Sequence, residues 1–262
     1  MAPILEARHL SKRFRIPSVK RSTVREHVLG MLRPSSTEEL VVLDDVSFSV
    51  ERGETLGIMG RNGCGKSTLL KILSGIYMPD TGEVIARGPI TPILELGVGW
   101  NPELDAIDNI LLLGSVMGMS LKELRQATDE ILAFAELERF ANMKLQHYSS
   151  GMASRLAYAV AFRAVREILI LDEIFAVGDA GFRERCESRF RELHSSGHTA
   201  IVVSHDPRTI KTFCDRALLV DRGHVVVQGD GLTVADAYTA LLTHEPAAAA
   251  PTAALPEAVP AS

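Results

Sequence analysis

Short apolar runs alternate with glycine-rich and charged segments along this chain. Thr55 to Met59, Ile168 to Leu171 and Thr199 to Val203 are continuous apolar runs of strand length. Such runs are typical of strands buried on both faces, as in a parallel sheet. Pro3 to His9 and the alternating segment Val41 to Val50 predict two further strands. The pattern therefore favours an α/β protein.

Helical periodicity appears between the predicted strands. Apolar residues recur through Ser67 to Ser74 before Gly75, which predicts a helix with a defined end. A helical subdomain is expected over about residues 105–163, within a main domain of residues 1–244. From Glu245 to Ser262 the composition changes to mostly Ala and Pro, which cannot form a core and predicts a disordered tail.

An insert over about residues 18–40 separates the first two predicted strands. Its segment VREHVLGMLR places apolar residues at helical spacing among Lys and Arg, which predicts a short basic amphipathic helix. Two interpretations stay open. Its apolar face either covers the edge of the sheet or lies at a membrane surface.

The string GRNGCGKST follows the first apolar run and precedes the predicted helix. It fits G-x-x-x-x-G-K-[ST], in which backbone N–H groups and a helix N-terminus surround phosphates. In this interpretation Lys66 reaches the β and γ phosphates of ATP and the Ser67 hydroxyl ligates Mg²⁺. The alternative is a glycine-rich turn that only resembles a phosphate loop. The predicted nucleotide contacts are Gly60, Arg61, Asn62, Gly63, Cys64, Gly65, Lys66, Ser67 and Thr68.

Polar residues follow the other two apolar runs. Asp172 and Glu173 come directly after one, and His205 follows the other. Phosphate sites in open α/β sheets lie at the carboxyl ends of the strands. We therefore expect Asp172 to hold Mg²⁺ through water, Glu173 to activate the attacking water, and His205 to contact the γ phosphate. A solvated loop start and a surface histidine are the ordinary alternatives.

The string YSSGM at Tyr148 to Met152 resembles the signature of ATP-binding cassette (ABC) proteins. The resemblance, which extends over about residues 3–240, implies a P-loop NTPase fold: a RecA-like core with an antiparallel β subdomain, plus a helical signature subdomain. It also implies an ATP-sandwich homodimer in which Ser149 and Gly151 touch the ATP held by the partner. Phe14 resembles the aromatic that stacks on adenine, and Asp179 in AVGD resembles the loop that contacts the opposite subunit.

Longer stretches narrow the resemblance. TLGIMGRNGCGKSTLLKILSGIYMPDTGEV, DEIFAVGDAGFRERC and VVSHD are similar to the ATPases that export O-antigen, capsular polysaccharide and teichoic acid. This implies a peripheral subunit at the cytoplasmic face of the inner membrane, with a polytopic membrane permease as partner and a lipid-linked glycan as cargo. The alternatives are an importer or drug-exporter ATPase and, in another class, a soluble cassette protein of the repair or translation type.

Two departures from the wider family stand out. There is no Gln between Gly82 and Lys122, where most cassette ATPases carry one that ligates Mg²⁺ and senses the membrane partner; Glu95 or its neighbours occupy the place. The signature replaces three residues of the common L-S-G-G-Q and retains Ser149 and Gly151. Trp100, the single Trp, follows this region and is expected near the membrane subunit.

Composition limits the remaining classes. With 262 residues, 46% of them hydrophobic, the chain can bury a large core. A formal net charge of -5 gives no general basic field, so a nucleic-acid partner is not expected. The three Cys are widely spaced, which predicts neither a disulfide framework nor a metal cluster and favours a reducing compartment. The N-terminus lacks a leader pattern and no run spans a bilayer, so transport is expected to need another polypeptide.

The Ala/Pro tail is too short to form a domain that recognises the glycan, since a β-sandwich of that kind needs about 100 residues. Deletion of the tail is therefore expected to leave export unchanged.

Overall fold

A computed structural model describes residues 2–17, 37–94, 99–172 and 179–243 of the chain. Within these ranges the strands are β1 (Leu5–Pro17), β2 (Thr37–Val50), β3 (Thr55–Met59), β4 (Thr81–Ala86), β5 (Ile90–Ile93), β6 (Ile168–Asp172), β7 (Thr199–Val203), β8 (Arg216–Asp221) and β9 (His224–Gly229). The helices are α1 (Lys66–Leu73), α2 (Ala106–Val116), α3 (Leu121–Ala135), α4 (Ser150–Arg163), α5 (Ala180–Ser195), α6 (Pro207–Phe213) and α7 (Gly231–Thr243). Two short 3-10 helices span Glu138–Phe140 and Leu145–His147.

The larger sheet has the strand order β5-β6-β7-β3-β8-β9. All of its pairings are parallel except β8 with β9, which form an antiparallel hairpin. Strands β3 and β7 are buried along their whole length, as their uninterrupted apolar sequence predicts. Because β3, β6 and β7 run parallel, their carboxyl ends lie along one edge of the sheet.

The smaller sheet is antiparallel, with the order β2-β1-β4. Strand β1 extends to Pro17, well beyond the predicted end at His9, and β2 begins at Thr37, inside the predicted insert. The register of this pair shifts near His9, whose φ is 49°, and Asp45 on β2 has φ 54°. Such irregularities interrupt the alternation of side chains between the two faces of a strand, so the lengths predicted from the sequence pattern are too short for both strands. The predicted amphipathic helix and the Ala/Pro tail lie outside the described residues.

Helices α2, α3 and α4 form the helical part of the molecule, within the predicted limits of about 105–163. Asp105 caps α2, and Ser120 with Glu123 forms a capping box at the start of α3. The facing sides of the three helices share one apolar cluster that includes Ile110, Ile131 and Leu156. None of the helices in the described ranges is long and apolar enough to cross a membrane.

Candidate functional site

The glycine-rich loop connects the carboxyl end of β3 to the first turn of α1. Gly65 occupies the position before α1 with a φ of 108°, in the left-handed region that glycine tolerates best. A Cβ at Gly65 would stand 2.6 Å from the carbonyl oxygen of Val42, and one at Gly60 would collide with the carbonyl oxygen of Val220. Gly63 has a φ of 81°, and no atom of the described ranges lies within 4 Å of where a Cβ would be. The loop therefore packs its backbone against two strands and leaves its tip open.

Lys66 lies across the loop and is only 8% exposed. Its Nζ donates hydrogen bonds to the carbonyl oxygens of Gly60 at 2.7 Å and of Arg61 at 2.9 Å. This holds a positive charge against the inner side of the loop. In the first turn of α1, Ser67 is exposed and Thr68 is half-buried. Cys64 is buried in the loop before this turn, and burial raises the pKa of its thiol. Arg61 and Asn62 are exposed at the tip of the loop.

The loop fits a polyphosphate group in its chemistry. The first N–H groups of α1 have no intrahelical partner, and Gly65 has no side chain that could cap them. A helix N-terminus with free N–H groups attracts anions, and the ammonium group of Lys66 adds a full positive charge. Residues with small or absent side chains keep the approach clear. The site can therefore hold the phosphates of a nucleotide.

Asp172 and His205 both lie at the sheet edge that carries this loop. Asp172 ends β6 in register with Val203 of the neighbouring β7 and is half-buried. His205 is exposed two residues after β7. Ser204, which is buried and separates β7 from His205 in the sequence, donates its backbone N–H to the carbonyl oxygen of Ile58 on β3, at 3.3 Å. The structure thus places Asp172, His205 and the loop along one edge; the predicted base Glu173 lies outside the described residues, as does Glu95.

The signature string forms the start of α4. Ser149 is the N-cap, and its Oγ accepts a hydrogen bond from the backbone N–H of Met152 at 3.2 Å. Gly151 is exposed, and among the described residues a Cβ there would have only the Ser149 Oγ within 4 Å, at 3.9 Å. Tyr148 donates its hydroxyl hydrogen to the carbonyl oxygen of Phe140 at 2.9 Å, which anchors the residue before the cap. The turn around Ser149 and Gly151 is therefore firmly held and open on its outer side.

The two residues assigned from resemblance alone have clear partners within this chain. Phe14, on β1, makes an edge contact with Tyr77 at 6.0 Å between ring centroids, and the Nζ of Lys12 lies 5.6 Å from the Phe14 ring. Asp179 caps α5, with its Oδ1 accepting from the N–H of Phe182 at 2.9 Å and its Oδ2 from Arg155. The Phe182 hydrogen bond, followed by Arg155, holds the pKa of Asp179 below its usual value. Both carboxylate oxygens of Asp179 are thus engaged within its own subunit.

Two contributors to the site gave no signal in the sequence. Gly223, in the β8–β9 turn, donates its N–H to the carbonyl oxygen of Cys64 in the phosphate loop at 3.2 Å. Arg155 links the signature helix to Asp179. Both connect segments that are distant along the chain, so neither local spacing nor composition could have identified them.

Comparison with known proteins supports this description. The sequence profile described as "ABC transporter" matches residues 43–176. The ABC transporter protein AbcA of Aeromonas salmonicida is 42% identical over 78% of this chain, which spans 66% of that protein's length, just under two thirds. The O-antigen export system ATP-binding protein RfbB of Klebsiella pneumoniae is 32% identical, over 91% of this chain and 98% of that protein.

A solved structure agrees with the fold. An ATP-binding cassette, described as a dimeric post-hydrolysis state bound to ADP and Pi, is 25% identical with a TM-score of 0.70, covering 86% of this chain and 98% of its own. The mixed sheet, the phosphate loop and the helical subdomain define a P-loop nucleotide-binding cassette. The chain belongs to the ABC transporter family.

The predicted fold class and the family resemblance are therefore confirmed, including the similarity to O-antigen export ATPases. The division into residues 1–244 and a tail stays a prediction, and so do the assigned roles of the individual site residues.

Proposed function

We propose that this chain is the ATPase subunit that powers export of a lipid-linked polysaccharide across the inner membrane. The observation that carries the proposal is the match to an O-antigen export ATPase over nearly the whole of both chains, together with a glycine-rich loop that holds the Lys66 ammonium group against its own carbonyl oxygens. No observation on the described residues favours the alternative of an importer, a drug exporter or a soluble cassette protein.

In the proposed mechanism the loop binds ATP. The N–H groups of the loop and of α1 contact the phosphates, while Lys66 turns from the Gly60 and Arg61 carbonyl oxygens to the β and γ phosphates. Ser67 and Asp172 would hold Mg²⁺, which when bound neutralises phosphate charge. Glu173 removes a proton from the attacking water, and His205 orients the γ phosphate from the end of the intervening strand. Phe14 would offer the adenine a ring face beside Tyr77.

The active form in this proposal is a homodimer. Ser149 and Gly151 of one subunit meet the γ phosphate held by the loop of the other. The exposed, open surface at Gly151 and the cap at Ser149 suit such an approach. The N-terminus of α5 at Asp179 would meet the partner through its backbone, because the carboxylate of Asp179 is occupied by Phe182 and Arg155. Closure of the dimer on ATP and its opening after hydrolysis would drive transport.

The remaining partners follow from the same proposal. A polytopic membrane permease would carry the translocation path, with this chain bound peripherally at its cytoplasmic side. The cargo is a lipid-linked glycan of the O-antigen, capsule or teichoic acid class. Nucleic acid is not a partner in this proposal.

Deletion of the gene and complementation in the source organism test the function. Loss of the gene should remove surface polysaccharide and accumulate the lipid-linked glycan inside the cell. The parent sequence should restore export and Lys66→Ala should not, while Lys71→Ala, a substitution in the same helix outside the motif, serves as the control. Unchanged surface glycan in the deletion strain would refute polysaccharide export, and loss of a small-molecule uptake instead would identify an importer.

A further inference from the structure

Arg155 lies on α4, one helical turn after Gly151, and its side chain is 20% exposed. One nitrogen, Nη1, donates to the Oε2 of Glu136 at 2.6 Å, and the other, Nη2, to the Oδ2 of Asp179. One guanidinium therefore ties the signature helix both to the end of α3 and to the cap of α5.

Glu136 is itself shared between two arginines. It ends α3 in the left-handed conformation, with a φ of 59°, and its Oε1 accepts from Arg185 of α5. Arg185 also donates to the carbonyl oxygen of Phe134 at 3.0 Å. The pKa of Glu136 is lowered most by its hydrogen bond with Arg185, and next by the positive charge of Arg185. The side chains of Asp179, Arg155, Glu136 and Arg185 thus form a continuous series of contacts, in that order, that links α3, α4 and α5.

The guanidinium of Arg155 also lies over an aromatic ring. Its Cζ lies 5.3 Å from the centroid of the Phe182 ring, and that ring contacts Phe134 at 5.8 Å. Exposed ion pairs contribute little on their own, and the carboxylates of Glu136 and Asp179 are 49% and 64% exposed. A planar group that binds two carboxylates and stacks on a ring is more constrained than such a pair, and lysine cannot reproduce it.

We propose that Arg155 is a positioning residue that holds the signature turn and the Asp179 cap of α5 as one rigid surface, so that both reach the opposite subunit together. The approach to the opposite subunit rests on the proposed homodimer, whereas the link made by Arg155 is a property of the isolated chain. The reason is geometric, because Arg155 joins two segments that both belong to the predicted dimer face and that come from different parts of the molecule.

The first test uses the monomeric chain and no nucleotide. Arg155→Lys should raise hydrogen exchange in a peptide covering residues 179–186 by about tenfold, since the Phe182 N–H is protected by the Asp179 cap. Arg163→Lys is the matched control, because Arg163 lies on the same helix and makes an exposed pair with Glu130 at 3.4 Å. Equal exchange in the two variants would overturn the proposal whatever the chain's function.

The second test measures ATP-driven dimerisation in a Glu173→Gln background. At protein concentrations where the chain is monomeric, Arg155→Lys should bind ATP with nearly the parent affinity, yet its ATP-driven dimerisation should be about tenfold weaker. Arg163→Lys should match the parent in both measurements. Glu136→Gln, a surface substitution that preserves size, should weaken dimerisation in the same direction and guards against a folding defect of Arg155→Lys. Loss of ATP affinity in parallel with dimerisation would refute a positioning role. A parent chain that never dimerises would refute the proposed homodimer. The hydrogen-exchange result would still decide whether Arg155 holds Asp179 at the start of α5.

Discussion

Gly223 donates its backbone N–H to the carbonyl oxygen of Cys64 at 3.2 Å, and this joins the β8–β9 turn to the phosphate loop. The carbonyl oxygen of Gly223 accepts in turn from the N–H of Asp44 on β2. The carbonyl oxygen of Val42 lies against both Gly223 and Gly65. The loop is thus held from the outside by two segments that do not belong to its motif.

Gly223→Ala should therefore weaken nucleotide binding. The residue has a φ of 83°, and a Cβ there would stand 2.7 Å from the Val42 carbonyl oxygen, so the turn must shift and with it the bond to Cys64. We expect a loss of about 1 to 3 kcal/mol in stability from the backbone conformation and the collision together. Calorimetric ATP titration and thermal unfolding measure the two effects.

Gly197→Ala is the matched control for that substitution. Gly197 has a φ of 84°, and none of the residues that the structure describes comes within 4 Å of the position of a Cβ, so the substitution has the conformational cost without a collision. It should lose stability and retain ATP affinity. If both variants bound ATP as tightly as the parent, the turn would not support the loop.

Features formed by residues that are contiguous in the chain could be predicted from the sequence. Strands β3 and β7 match their apolar runs residue for residue, and β6 extends one residue further, to Asp172. The phosphate loop could be recognised because its glycines, Lys66 and Ser67 are contiguous. Ser149 could be anticipated as a helix start since Ser is a favourable N-cap.

Contacts between distant segments could not be predicted in the same way. The register shifts of β1 and β2 arise where two strands meet, and the sequence of either strand alone does not specify them. Asp179 could be assigned to the dimer face by resemblance, but its capping of Phe182 and its pairing with Arg155 depend on how α4 packs beside α5. Gly223 resembles any other turn glycine until the position of Val42 is known.

Lys66→Ala should reduce ATP affinity by at least about tenfold, because a charge-assisted contact to the phosphates is lost. The carbonyl oxygen of the buried Gly60 and that of Arg61 also lose their donor, so thermal stability should fall slightly. Equilibrium binding of a fluorescent ATP analogue provides the measurement. Tight binding in Lys66→Ala, with Lys71→Ala as the control, would count against the phosphate-loop assignment.

The reactivity of the cysteines offers a probe of the same loop. Burial raises the pKa of the Cys64 thiol, and it raises the pKa values of Cys186 and Cys214 to about 12. Because the thiolate is the reactive form, a raised pKa leaves little of it at neutral pH. All three should react slowly with iodoacetamide in the folded chain at pH 7.5, and faster as the pH rises.

ATP should slow alkylation of Cys64 further and leave the other two cysteines unaffected, since only Cys64 lies in the loop. Mass spectrometry of the alkylated peptides, with and without ATP, separates the three sites. Equal rates at Cys64 with and without saturating ATP would place the nucleotide elsewhere.

Glu173→Gln should preserve ATP binding and reduce turnover by orders of magnitude, because the attacking water loses its base. Glu167→Gln is the control: Glu167 precedes β6 at its opposite end and pairs with Arg52 at 2.9 Å. That variant should hydrolyse ATP at the parent rate. Near-parent turnover in Glu173→Gln would show that another group activates the water.

Mixed dimers test whether the signature acts across the subunit interface. Gly151→Asp should fold normally, since Gly151 is exposed and the added Cβ would meet, in the part of the chain that the structure describes, only the Ser149 Oγ at an ordinary 3.9 Å. The introduced carboxylate would repel the γ phosphate of the partner, so this variant alone should be inactive, as should Lys66→Ala alone.

In a heterodimer of the two variants, one composite site carries both damaged halves and the other carries neither. Its ATPase activity should therefore exceed that of either variant by itself. Differently tagged subunits, purified in tandem, ensure that only heterodimers are assayed. Heterodimers of Lys66→Ala with Glu173→Gln provide the contrast, because both residues belong to the same subunit's half-site and neither composite site is then intact. If tagged Lys66→Ala and Gly151→Asp heterodimers form but hydrolyse no more ATP than this contrast pair, Ser149 and Gly151 do not complete the site of the partner.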